Sequence, residues 1–312
     1  MIANLDTREE GFQMTATPVL QINHLQKKFG RFQALKNITF SVNAGEVFGF
    51  IGPNGAGKST TIRVLLGLIR ATGGDATIFG QDVWNDSVAI HKRLAYVPGD
   101  VYLWPNLTGG EIVDLLLKMN GSKHSQRTDD LIKQFGLDPT KKARTYSKGN
   151  RQKVALIAAL SQEADFYIFD EPTSGLDPLN ERQFQLAVLE LKRRGKAVLL
   201  SSHILSEVER MCDRIAIIRE GNIIETGSLA EMRHLTRTVM TVTLKTPIDL
   251  TQLTGVHNVE AGHHPNEWQF SVEAKALPAV MLALTEHHIM ALQSTPPTLE
   301  DLFMHYYTTE KE

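Results

Sequence analysis

The feature that most constrains this chain is the run Gly52-Pro53-Asn54-Gly55-Ala56-Gly57-Lys58-Ser59-Thr60. It satisfies the G-x-x-x-x-G-K-[ST] pattern, which average composition produces by chance in about one chain in a hundred of this length. The run follows the β-rich stretch Gly45 to Ile51 and precedes a helical pattern over Thr61 to Leu68. That setting predicts a strand, a glycine loop and a helix N-terminus in succession. Glycines let successive backbone N–H groups turn inward around an anion, and the helix dipole adds positive charge at the same point. Lys58 is expected to reach β- and γ-phosphates, and the Ser59 hydroxyl to ligate Mg²⁺.

A second signal lies downstream. Phe166-Tyr167-Ile168-Phe169 is apolar without alternation and ends in two adjacent carboxylates, Asp170 and Glu171. Such a run suits a strand covered on both faces of a parallel sheet. Ligands of open parallel sheets lie at the carboxyl ends of the strands, so both acids are expected to face the phosphate loop. Asp170 is the expected Mg²⁺ holder, and Glu171 the expected general base that polarises the attacking water. Ala197 to Ser201 reads as another buried strand, and His203 beyond it is a candidate contact to the γ-phosphate. A lone histidine after a strand is usually structural, and only the order of motifs raises this one.

The length of 312 residues allows one large domain, or a large one with a small companion. From about Val19 to Glu231, β-rich runs alternate with helical stretches, which predicts an α/β architecture. The texture changes after Leu235: strands are expected near Val239 to Leu244, Val256 to Glu260, Trp268 to Val272 and Ile289 to Leu292. With a short helix near Leu250 and another over Leu277 to His287, this predicts a small ferredoxin-like βαββαβ module. The expected division is a disordered leader at 1–17 (with Met14 as an alternative start), a nucleotide-binding domain at 18–235 and an accessory domain at 236–312. Leu299, Leu302, Phe303, Tyr306 and Tyr307 share one helical face that calls for a docking surface.

The formal charge of -2 gives no electrostatic reason to expect nucleic acid. The single cysteine, Cys212, fits a reducing compartment. No apolar run approaches the eighteen or so residues that span a bilayer. The pairs His263-His264 and His287-His288 follow no familiar metal-ligand spacing.

In their order these motifs resemble the ATP-binding subunits of ABC transporters, across about Val19 to Met232. Between the phosphate loop and Asp170-Glu171 stands Tyr146-Ser147-Lys148-Gly149-Asn150, similar to that family's Leu-Ser-Gly-Gly-Gln signature, with Ser147 and Gly149 retained. Ser174-Gly175-Leu176-Asp177 resembles its D-loop, and Phe29, with Phe32 as nearby competitor, stands where an aromatic stacks on adenine. The resemblance implies a P-loop NTPase core with antiparallel β and helical subdomains, ATP and Mg²⁺ as cofactors, and ATP hydrolysis. It further implies a dimer of such subunits, a homodimer with a heterodimer as the alternative. In it Ser147 and Gly149 of one subunit meet the ATP held by the other, and the D-loop, with Asp177 as a further nucleotide-site candidate, runs along the interface.

Two departures stand out. A glutamine usually follows the strand matching Arg93 to Val97, whereas this chain has Pro98-Gly99-Asp100, which makes Asp100 a candidate substitute. Lys148 replaces a signature glycine, and its side chain is open to two readings, phosphate contact or solvent. The form Ser-Lys-Gly-Asn-Arg-Gln-Lys and the C-terminal module resemble exporter ATPases whose membrane permease is a separate chain. The implied place is the cytoplasmic face of the membrane, with Tyr102, Leu103 and Trp104 either anchoring the permease or padding the fold locally. The alternative is an ABC ATPase that acts on the ribosome or nucleic acid, against which a single phosphate loop counts.

Overall fold

The computed structural model describes residues 18–234, 237–262, 264, 266–273 and 275–295. The leader, His263 and the face from Leu299 to Tyr307 lie outside the described residues.

The non-alternating runs become the centre of a large sheet. In chain order its strands are β1 (Leu20–Phe29), β2 (Phe32–Val42), β3 (Val47–Ile51), β4 (Gly73–Ile78), β5 (Gln81–Asp82), β6 (Leu94–Val97), β7 (Phe166–Asp170), β8 (Ala197–Ser202), β9 (Arg214–Arg219) and β10 (Asn222–Ser228). Every residue of β3, β7 and β8 is buried, as strands covered on both faces require. The order is β5-β4-β1-β2-β10-β9-β3-β8-β7-β6. β9, β3, β8, β7 and β6 pair in parallel, whereas β5, β4, β1 and β2 are antiparallel. One parallel bridge, Asn222 to Asn37, joins the two parts through β10 and β2.

This order sets three parallel strand ends, those of β3, β8 and β7, side by side, so the loops that follow them converge. Helix α1 (Lys58–Leu65) buries Ile62 and Leu65 against Phe48, Phe50 and the antiparallel strands. Phe40 stacks on Phe48 with ring centroids 4.9 Å apart, which fixes the antiparallel layer over the central strands. On the opposite side, a second core gathers Phe169, Phe184 and Leu156. It includes α3 (Gly109–Met119), α4 (Gln126–Gln134), α5 (Lys148–Leu160), α6 (Pro178–Arg193) and α7 (Leu205–Met211), and two short helices, α2 (Ser87–His91) and α8 (Leu229–His234), complete the order up to residue 234. Helix α3 starts on a full capping box, Thr108 and Glu111. Helix α5 starts at Lys148 because Ser147 Oγ accepts from Asn150 N at 3.3 Å and caps it.

Residues 238–295 form a second sheet of β11 (Thr238–Leu244), β12 (Val256–Ala261), β13 (Glu267–Val272) and β14 (Ile289–Thr295), ordered β12-β13-β11-β14. Helix α9 (Leu277–Glu286) buries Val280 and Leu284 against Met240, Val242 and Phe270. The expected first helix is reduced to one 3-10 turn, Leu250–Gln252. Asp249 explains this: its carboxylate accepts from Thr251 N, Thr251 Oγ1 and Gln252 Nε2, closing a local turn that competes with a helix. Among the described residues no helix is long and apolar enough to cross a membrane.

Candidate functional site

Three loops meet at the carboxyl ends of β3, β7 and β8. The first, Gly52 to Gly57, feeds α1. Gly57 caps the helix at φ +120°, and a Cβ there would press on Leu35 Cδ2 at 2.8 Å, so only glycine lets β2 lie this close. The turn is closed by Ala56 N donating to Pro53 O at 3.2 Å and by Thr61 N and Oγ1 donating to Gly57 O. Lys58 is buried, and its Nζ donates to Gly52 O at 2.6 Å and Pro53 O at 3.3 Å. Asn54, Gly55 and Ser59 are exposed at the mouth, with Thr60 beside them.

The second loop carries the carboxylates. Asp170 is 6% exposed, and Ser201 Oγ on the neighbouring strand donates to its Oδ1. Glu171 sits at φ +48°, a left-handed backbone that costs a non-glycine residue about 1 kcal/mol or more. Its N–H is held by Ser201 O and Oγ, both at 3.1 Å. This twist carries the carboxylate back over the phosphate loop, where Oε1 lies 3.3 Å from Lys58 Nζ and Oε2 lies 3.3 Å from His203 Nδ1. Lys58, Glu171 and His203, taken from three strand ends, therefore form one contiguous group.

Of these three, Glu171 opens onto a polar pocket of about 480 Å³ whose lining also includes Ser59, Asp170, Asp100 and Lys148. Tyr96 forms part of its wall, and burial together with the neighbouring Asp170 pushes the phenol up to about 12. Ser59 and Asp170 thus share one pocket as a hydroxyl and a carboxylate, a hard-oxygen donor set of the kind Mg²⁺ takes. Asp100 lines the same pocket, while Pro98 O accepts from the buried Gln152 Nε2 at 3.4 Å.

Ser147, Gly149 and Asp177 lie together at a second place. A Cβ on Gly149 would fall 2.4 Å from Gly175 O, so the start of α5 and the loop before α6 touch backbone to backbone. Asp177 caps α6, accepting from Asn180 N at 3.0 Å and Nδ2 at 2.6 Å, and these bonds hold its carboxyl below the usual range. Phe29 and Phe32 face each other at the β1–β2 turn, both strongly exposed, and Lys27 Nζ lies 4.9 Å from the Phe29 ring centroid. Of the three candidate anchors, Tyr102 is 91% exposed and Trp104 47% exposed, whereas Leu103 packs on the core.

Sequence reading missed Glu207. It is 4% exposed, and its Oε2 accepts from Thr173 Oγ1 at 3.1 Å and Ser202 Oγ at 3.3 Å, while Oε1 is buried with no partner among the described residues. It therefore ties the loop that follows Glu171 to the strand that precedes His203. Burial pushes its carboxyl up. Its signal was present, since an acid between Leu205 and Val208 stands on the core-facing side of a helix.

Residues 35–174 match the ABC transporter family. The chain is 41% identical over 206 residues to an uncharacterized ABC transporter ATP-binding protein of Nostoc sp., covering 64% of this chain and 61% of that one. It is 31% identical over 304 residues to the linearmycin resistance ATP-binding protein LnrL of Bacillus subtilis, covering 92% of this chain and 97% of that protein. A solved structure of an ATP-binding subunit of an ABC transporter superposes with a TM-score of 0.65 at 33% identity, covering 70% of this chain and 92% of the other. The chain belongs to the ABC transporter family, as an ATP-binding and ATP-hydrolysing subunit.

Proposed function

We propose that this subunit drives export through a separate permease chain at the cytoplasmic membrane face, working as a homodimer that closes on two ATP molecules. The observation that carries the reading is the division of the chain into two half-sites. One holds Lys58, Ser59, Asp170, Glu171 and His203 around the phosphate loop; the other holds Ser147, Gly149 and Asp177 at the joined starts of α5 and α6. A two-fold arrangement sets each half-site against its complement on the partner.

In the closed dimer Lys58 exchanges its two carbonyl acceptors for phosphate oxygens, and the backbone N–H groups of Gly55 to Ser59 surround the same phosphates. Phe29 offers its ring to adenine. Ser59 and Asp170 would hold Mg²⁺, which would offset charge on the β- and γ-phosphates. Glu171 takes a proton from the attacking water, and His203, paired with it, orients the γ-phosphate side of the site. Ser147 and the N-terminus of α5 contact the partner's γ-phosphate, so its loss weakens the closed dimer and returns the subunits to the open form. Asp100, which lines the same pocket, would supply a water or Mg²⁺ contact in place of the missing glutamine.

Export is supported by the signature form and the C-terminal sheet, and by the resistance role in the name of the relative LnrL. Two contiguous grooves, of about 780 and 310 Å³, run between α1, α2, α3 and the segment after β6, sharing Leu66, Leu68, His91 and Asn120. Tyr102 and Trp104 line the second groove, and exposed Val88 and Met119 line the first. A short amphipathic helix of a permease fits this apolar cleft. The test is affinity capture of Glu171→Gln with Mg-ATP from gently solubilised native membranes. A polytopic membrane protein at stoichiometric level, lost on Trp104→Ala, is the expected result; ribosomal or DNA-associated proteins without a permease would overturn transport.

A further inference from the structure

The signature lysine is 54% exposed and lines the polar pocket beside Ser59 and Glu171, and it also reaches a partner on its own chain. Lys148 Nζ donates to Ser174 Oγ of its own chain at 2.8 Å. Asp100 Oδ1 lies 4.0 Å from the same nitrogen. The aliphatic stem covers Gly175, where a Cβ would meet Lys148 Cγ and Cδ at 3.3 Å. Ser174 is not a bystander: its N–H donates to Glu171 O at 3.2 Å, closing the turn that carries the general base. One unbroken path therefore runs from the N-terminus of α5, through Lys148 and Ser174, to the strained backbone of Glu171.

We propose that Lys148 is a positioning residue that ties the signature helix to the catalytic turn of its own chain, so that one side chain links the two ATP sites of a dimer. The backbone of Ser147 and Gly149 reads the partner's γ-phosphate, while the Lys148 side chain holds the loop bearing Glu171 at its own site. A glycine at this position supplies no such arm. Asp100, at the place of the missing glutamine, offers the lysine a second, exposed partner; exposed pairs at this distance contribute little, so the Ser174 bond is the main tie. Glu171 needs this restraint because its left-handed backbone relaxes once the turn is released. Formation of the signature contact at one site thereby sets the geometry of the base at the other, which is a coupling between two distinct ligand sites.

The proposal rests on the composite-dimer reading, and the experiment separates the two. ATPase rate against ATP concentration is measured on the full chain for wild type, Lys148→Ala, Lys148→Arg, Lys148→Gly and Ser174→Ala. ATP-driven dimerisation of each is measured in the Glu171→Gln background. In wild type a Hill coefficient approaching about 2 is expected, the ceiling for two sites. Lys148→Ala, Lys148→Gly and Ser174→Ala are expected to bring it to about 1 and to lower kcat about tenfold, the size of one lost charge-assisted hydrogen bond. Dimerisation and half-saturation stay near wild type, and Lys148→Arg restores both rate and cooperativity. A structural role alone would move melting temperature without changing the Hill coefficient. Wild-type dimerisation with unaltered rate and cooperativity in Lys148→Ala would overturn the proposal alone. A wild-type chain that stays monomeric with ATP would remove the composite site and the proposal with it.

Discussion

Gly149→Ala tests whether the two loop starts form one rigid half-site. The added Cβ would stand 2.4 Å from Gly175 O, whereas real Cβ atoms essentially never approach below 3.0 Å. The two segments must therefore part by at least 0.6 Å. Both are backbone, so no rotamer change relieves the contact, and Gly175 is further confined by a φ of +84° under the Lys148 stem. Overpacking of this kind costs about 1–3 kcal/mol. In a chain of this size each kcal/mol lowers the melting temperature by about 2–4 °C. The larger effect is on rate, since a misplacement on the order of 1 Å at reacting geometry costs about a hundredfold. Steady-state ATPase assay is expected to show a loss of up to that size, while a fluorescent ATP analogue binds the variant's intact phosphate loop with near-normal affinity. Wild-type turnover in Gly149→Ala would refute the argument, because the contact would then be neither tight nor functional.

The remaining predictions concern single residues. Glu207→Ala leaves Thr173 and Ser202 without their shared acceptor inside the fold, and scanning calorimetry is expected to show about 2–4 kcal/mol lost. The Glu207 carboxyl also gives stability a pH dependence. Because its folded value is raised, the unfolded chain loses this proton first. Stability therefore falls as pH rises from the ordinary glutamate value to the raised one, and is flat above it. Glu207→Gln is expected to remove that slope, read as the difference between two melting-temperature profiles. Phe29→Ala is expected to raise half-saturation for ATP about fivefold to tenfold with little change in kcat, and Phe32→Ala to leave it unchanged; the reverse would move the adenine platform to Phe32. His203→Ala is expected to lower kcat by about a hundredfold or more with ATP binding kept, as measured by single-turnover hydrolysis.

How much was legible follows from the physics of each element. The phosphate loop and Asp170-Glu171 were readable because strict residue types at fixed spacing carry their chemistry, and β3, β7 and β8 because a strand buried on both faces leaves an unbroken apolar run. The start of α5 was not legible because a cap depends on the direction of a side chain, here Ser147 toward Asn150 N. The first helix of the C-terminal sheet shrank to a turn because Asp249 satisfied the local donors before a helix could. The left-handed Glu171 backbone and the Lys148–Ser174 bond involve neighbours distant in sequence, Ser201 and Ser174, which no local pattern contains. Glu207 is of the same kind, since Thr173 and Ser202 reach it from other loops.

The central claim is that Glu171 is the base of an ATP site completed by a second copy of the chain. The most direct measurement is light scattering of purified Glu171→Gln with and without Mg-ATP, alongside its turnover. The account predicts a stable ATP-dependent species of twice the monomer mass and a turnover reduced by about a hundredfold or more. A monomer in Mg-ATP that hydrolyses at the wild-type rate would contradict it.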